Sequence, residues 1–173
     1  MDRASDLIVL AAMCAGLGTA AVIDVRHRRI PNVVCVATAV TGLALATIGL
    51  STVTVSSAFA GLAFGFLMML PGHVFGATGA GDVKLFAAAG TLLGRGRIVT
   101  AFICVALAGG MLAVAIAVHR GRLVRTLGLA ARLLGRPHTS KTAIESSAEH
   151  NKFSYGPAIA IGCVVAMLIG DAL

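Results

Sequence analysis

The stretch Ile98–Val118, IVTAFICVALAGGMLAVAIAV, carries no charged residue from end to end. A helix needs about 20 mostly apolar residues to cross the hydrocarbon core of a bilayer, and this run supplies them. It shows neither the strict alternation of a half-buried strand nor the polar stripe of a surface helix. Reading outward, comparable runs occupy Leu7–Ile23, Val33–Leu50, Val53–Leu70, Val83–Leu93 and Tyr155–Leu173. The fourth of these is short, and Gly76–Gly81 would extend it as buried irregular backbone, tolerated at membrane depth where protein surrounds it. The expectation is an all-α, polytopic membrane helix bundle of about six transmembrane helices, forming a single membrane-embedded domain over residues 1–173.

Composition agrees. Of the 173 residues, 58% are hydrophobic and 12% charged, and mean hydropathy is +0.95. Soluble domains carry about 25% charged residues, so this chain could not coat a globule of its own size. The net charge of +7 lies between the apolar runs. Nucleic-acid binding would call for a basic face interleaved with aromatics, whereas the chain has no Trp and one Tyr, so no nucleic-acid partner is expected. The positive-inside rule accounts for the same charge. Arg26, Arg28 and Arg29 follow the first run, and Asp2, Arg3 and Asp6 precede it. The N-terminus is therefore expected outside, with 71–82 and 119–153 in the cytoplasm and 94–97 outside. Arg95 and Arg97 are the residues that oppose this scheme.

Within 119–153, Leu123, Leu127, Ala130 and Leu134 recur at helical spacing, with Arg122, Arg125, Arg132 and Arg136 on the other side. This pattern predicts an amphipathic helix on the inner leaflet, its arginines facing anionic headgroups. The N-terminus lacks the basic region and small-residue cleavage site of a secretory signal. Cys14, Cys35, Cys104 and Cys163 stand singly, without a CxxC pair, and no HExxH occurs, so no metal site is expected. Gly49-Leu-Ser51-Thr has the look of a serine-protease fragment, but no histidine in a later span could serve it as base.

Seven acidic residues are present, and each can be placed. Asp2, Asp6 and Asp171 fall at outer ends of runs, and Glu145 and Glu149 in the polar cytoplasmic segment. Asp24 and Asp82 remain, both at cytoplasmic helix ends and at one membrane depth. Ionisable groups at the edge of the hydrocarbon region are costly and usually functional. Two neighbouring carboxylates cannot both ionise easily and share a proton, one activating water and the other donating to an oxyanion. Each also has a structural reading: Asp24 as the partner of Arg28 one turn on, and Asp82 as a helix cap. The glycines of Gly76-Ala-Thr-Gly-Ala-Gly-Asp82 would let a substrate strand lie against the loop, or equally serve a turn or close packing. Gly79, Gly81 and Lys84 are thus candidate substrate-binding residues. Lys84 is also placed to reach the headgroups or to bias the pair toward ionisation.

These residues resemble a known family. Asp24-Val-Arg-His-Arg-Arg-Ile-Pro-Asn32 is similar to the first aspartate motif of the type IV prepilin peptidases. Gly79-Ala-Gly-Asp82-Val-Lys84 matches their GxGDxK motif, and Tyr155-Gly-Pro-Ala-Ile-Ala160 resembles the last-helix segment of their small members. The resemblance implies a membrane aspartyl endopeptidase with Asp24 and Asp82 as the catalytic pair and no cofactor. Its substrate would be a prepilin or pseudopilin with a basic leader before a hydrophobic helix, cleaved at the cytoplasmic side of a bacterial or archaeal-type plasma membrane. The larger members carry an N-terminal CxxC domain associated with methylation. Without that pattern, methyltransferase activity is not expected, and the size resembles the compact branch serving tight-adherence (Flp) pili. Ile30-Pro31-Asn32 is read as structural, with Pro31 in the first turn of the second helix. Two other classes of function stay open on these residues: a non-catalytic scaffold of a pilus or secretion apparatus, and a small ion-coupled transporter.

Overall fold

The computed structural model describes residues 3–76, 78–119 and 155–170, and these are helical throughout their length apart from short connections. The amphipathic segment expected near 122–136 lies outside the described residues. Five helical elements follow in order: α1 (Arg3–His27), α2 (Asn32–Thr47), α3 (Val55–Val74), α4 (Ala80–His119) and α5 (Gly156–Gly170). Three stretches are long and apolar enough to cross a membrane: Ala4–His27, Val55–Val74 and Ala80–Ala115. The helices α2 and α5 are apolar but shorter.

A straight helix of 40 residues would extend about 60 Å, twice the hydrocarbon thickness. The α4 element avoids this by breaking at Gly94, whose φ of 68° and ψ of 178° are not helical. Phe86 and Phe102 show what the break does. Sixteen positions apart on one straight helix, they would be separated by about 24 Å. Their ring centroids instead lie 6.1 Å apart, edge to face. The two limbs, 80–93 and 95–119, therefore fold back on each other as a hairpin with Gly94 at its apex. The sequence-based expectation of separate fourth and fifth helices corresponds to these limbs. The loop expected at 94–97 shrinks to a single residue, because helical geometry resumes at Arg95, whose N–H donates to Ser57 Oγ at 3.1 Å.

Other boundaries also move. The first helix continues past Ile23 to His27, since Arg is a good helix former and one more residue costs little once the helix is nucleated. It ends at Arg28, which takes the left-handed φ of 52°. Pro31 stands just before α2 as its N-cap, in extended geometry, rather than within the first turn. Among the described residues of 76–81, the expected buried irregular backbone is not found: Gly76 turns the chain with φ 75°, Gly76 and Gly79 are exposed, and α4 has begun by Ala80.

Small residues let the helices approach closely, which matters where lipid provides no hydrophobic drive for association. Gly61 of α3 lies against Gly90 of α4, and a Cβ on either would run into the other's backbone carbonyl. One turn along, Gly65 lies against Phe86 and Ala87, while Gly42 of α2 receives Thr91. The second limb of α4 packs on α5 through Val105 against Gly162 and Gly109 against the Tyr155 ring. Buried Thr38 and Thr91 donate to Val34 O and Ala88 O in their own helices, so neither hydroxyl proton is stranded. The largest buried side chains include Phe86, Met13, Leu17, Leu85 and Ile98. Many bulky apolar residues point outward instead, among them Leu7, Val33, Phe59, Leu67, Leu107 and Met111. Apolar exposure on this scale marks a surface that does not face water.

The two ends of the bundle differ. At one end Arg97 Nη1 lies 3.8 Å from Asp6 Oδ1, beside the Gly94 apex and the start of α3. At the other lie the end of α1 and the starts of α2, α4 and α5. Along α1, residues 6 and 24 are separated by roughly 27 Å.

Candidate active site

Asp24 occupies the last turn of α1 and Asp82 the first turn of α4, and both are buried, at 6% and 8% exposure. The structure brings them to the same end of the bundle, close enough for the charge of Asp24 to act on Asp82. Each carboxylate is held by a backbone N–H at a helix start. Gly156, the first residue of α5, donates to Asp24 Oδ2 at 2.9 Å. Gly79, immediately before α4, donates to Asp82 Oδ2 at 2.9 Å. Helix N-termini present unpaired N–H groups and a positive dipole end, so two of them converge here on two acids.

Asp82 is not the N-cap residue that its type suggested, because the cap position falls to Gly79 and Asp82 lies three residues on. Its carboxylate reaches back from the third helical position to the N–H of the cap residue, the reciprocal half of a capping box. Capping and chemistry do not compete, because a carboxylate has two oxygens and the cap takes Oδ2 only. Asp24 shows the equivalent arrangement with a donor distant in sequence, Gly156.

The segments carrying the two acids are joined directly. Ile30 packs on Gly81, where a Cβ would lie 3.1 Å from the Ile30 Cβ. Lys84 Nζ donates to Asn32 Oδ1 at 3.0 Å. The turn after α1 and the start of α4 are therefore clasped by one apolar and one polar contact, either side of the acids. Of the candidate substrate-binding residues, Gly79 serves Asp82 through its N–H, Gly81 makes room for Ile30, and Lys84 has one of its three donors on Asn32. Gly79 is exposed, and Lys84 is exposed as well.

The chain before Gly79 is folded back on the end of α3. Thr78 N–H donates to Gly72 O at 3.2 Å, and His73 Nδ1 lies 3.1 Å from Thr78 O. His73 is exposed and bound to this turn. Among the described residues, no group of three or more His, Cys, Asp or Glu is placed to hold a metal ion.

Reasoning from side-chain chemistry singled out Asp24, Asp82, Gly79, Gly81 and Lys84, and passed over Asn32 and Gly156 as site residues. Gly156 offers an N–H and an absence of side chain, neither of which registers as a chemical motif. A glycine followed by Pro157 at the start of an apolar run was the available signal, because proline favours the first turn of a helix and the N–H groups of that turn lack an intrahelical acceptor.

Two buried aspartates thus stand at one end of the bundle with a clasp between their segments, and carboxyls that approach closely in such a setting favour sharing a proton. No match to the chain was found among curated proteins or solved structures. The sequence profile of the type IV leader peptidase family matches residues 11–114, a span that contains both aspartates, their clasp and the Gly94 hairpin, and the chain belongs to that family.

Proposed function

We propose that this protein is a membrane aspartyl endopeptidase that removes the leader peptide of type IV, Flp-like prepilins, with Asp24 and Asp82 activating the water. One observation supports the reading: two buried carboxylates stand at the same end of an otherwise apolar bundle, each oriented by a backbone N–H at a helix start. The family supplies the reaction class, leader peptidase.

In the proposed reaction the pair holds one proton between its two carboxyls. The ionised member takes a proton from water as the water oxygen attacks the scissile carbonyl carbon. The protonated member donates its proton to the oxygen of that carbonyl, giving a neutral gem-diol. Collapse breaks the C–N bond, the proton taken from water passes to the leaving nitrogen, and the second returns to the pair. Neither role belongs permanently to one residue.

The proposed topology is six membrane crossings, with α4 contributing two, in one membrane-embedded domain of the plasma membrane. The N-terminus lies outside and the acids at the cytoplasmic face. Exposed Arg26, His27, Arg28 and Arg29 at the aspartate end support this. The Asp6–Arg97 pair removes the objection that Arg97 raised, since its charge is met by an acid at the same end. A prepilin would enter laterally from the lipid, with its cleavage site level with the acids. An ion-coupled transporter would place its acids near the bilayer midplane, and these stand at one end.

The test is processing of a co-expressed prepilin followed as a gel shift. Asp24→Asn and Asp82→Asn should each abolish the shift at normal membrane levels. Cleavage by either variant at the wild-type rate would refute the two-aspartate mechanism. Failure of the wild type on a panel of prepilins would leave a non-catalytic scaffold as the better account.

A further inference from the structure

We propose that Gly156 is a positioning residue for the peptidase reaction, its N–H fixing the Asp24 carboxylate and its missing side chain providing the space that carboxylate occupies. This rests on the reading of Asp24 and Asp82 as the reacting pair. It assigns a role to a residue beyond the family match, which ends at residue 114.

Three observations support it. The Gly156 N–H to Asp24 Oδ2 bond of 2.9 Å joins residues 132 positions apart and is buried. A Cβ at Gly156 would stand 2.9 Å from Asp24 Oδ2, 3.0 Å from its Cβ and 3.3 Å from its Cγ. The first is shorter than Cβ contacts allow and the other two are tight, so an added side chain displaces the carboxylate or the start of α5. Finally, the start of α5 is itself anchored, because Tyr155 packs its ring against Gly109 of α4 and Ala158 and Ile159 are fully buried. The helix cannot easily retreat, so the acid must move.

Asp82 receives its N–H from the start of its own helix, whereas the donor to Asp24 arrives on another. The spacing of the pair therefore depends on how α5 docks. A shift of about 1 Å in a reacting group can cost on the order of 100-fold in rate.

Ordinary helix propensity predicts the opposite outcome. Replacing glycine by alanine in a helix stabilises it by up to about 1 kcal/mol, so a glycine of no special role should tolerate the change. Gly18 and Gly110 have nothing within 4 Å of an added Cβ and serve as controls.

The experiment measures kcat and KM for prepilin cleavage by purified wild type, Gly156→Ala, Gly18→Ala, Gly110→Ala and Asp24→Asn. We expect Gly156→Ala to lower kcat about 10- to 100-fold with KM within about twofold, and both controls to retain activity. Thermal unfolding in detergent separates positioning from folding, and Gly156→Ala should melt close to the wild type. Wild-type kcat in Gly156→Ala, or a loss of activity that only follows a collapse of its melting temperature, would overturn the proposal. Full activity of Asp24→Asn would instead refute the catalytic reading on which it rests.

Discussion

Asp82 carries two duties that substitution can separate. Its Oδ2 accepts the Gly79 N–H, and asparagine retains an oxygen able to accept that bond, whereas alanine does not. Asp82→Asn should therefore keep most of the stability while losing proteolysis. Asp82→Ala should lose proteolysis and in addition about 1 kcal/mol of stability, the typical net value of such a bond. Thermal unfolding in detergent alongside the processing assay checks this, and equal melting temperatures for the two variants would show that the cap is energetically idle. The same reasoning shows what a sequence can reveal at this scale. Asp24 and Asp82 stand out because acids are scarce in an apolar chain. Gly156 is marked in the sequence only as part of a segment resembling the family, and its role is hidden, because its contribution is a main-chain donor whose acceptor is chosen only when α5 docks beside α1.

Between elements, α3 and the first limb of α4 approach closely where Gly61 and Gly90 meet backbone to backbone. No flexible side chain is available there to yield to an added methyl group. Gly61→Ala should destabilise the bundle by about 1–3 kcal/mol, the usual cost of overpacking, and should lower the membrane level of the protein. Gly96→Ala, with nothing within 4 Å of the added Cβ, should leave the level unchanged. Quantitative blotting of membranes, followed by thermal unfolding in detergent, measures both. The helices themselves were largely legible as apolar runs, and the glycine-rich Gly94-Arg-Gly-Arg97 marked the α4 reversal. What misled at this scale was the polar character of helix ends. The first helix carries its periodicity through Arg26 and His27, and α4 begins inside a glycine-rich segment that composition alone assigns to a loop. In both cases local hydrogen bonds, not hydropathy, set the boundary.

For the whole molecule, the aspartate end and the Asp6–Arg97 end lie roughly a bilayer core apart along α1. In the proposed orientation, exposed positions at the two ends face different compartments. A cysteine at Gly96 should react in intact cells with a membrane-impermeant thiol reagent, and one at Arg28 only after the membrane is opened. Both positions are exposed in the structure. The assay uses the background in which the four native cysteines are replaced, and labelling of the Arg28→Cys variant from outside would invert the topology.

Residue order alone established that this chain must sit in a bilayer, since its apolar runs leave too little polar surface for water. The motifs around Asp24 and Asp82 also pointed to the family without any coordinates. Apolar length and charge count are properties of contiguous residues, which is why they survive without a fold. Distance is not such a property. That α4 folds back at Gly94, that Lys84 finds Asn32, and that the start of α5 delivers its N–H to Asp24 all follow from glycine contacts between helices. Those contacts depend on which small residues face each other once every helix has a neighbour, and only the packed bundle decides that.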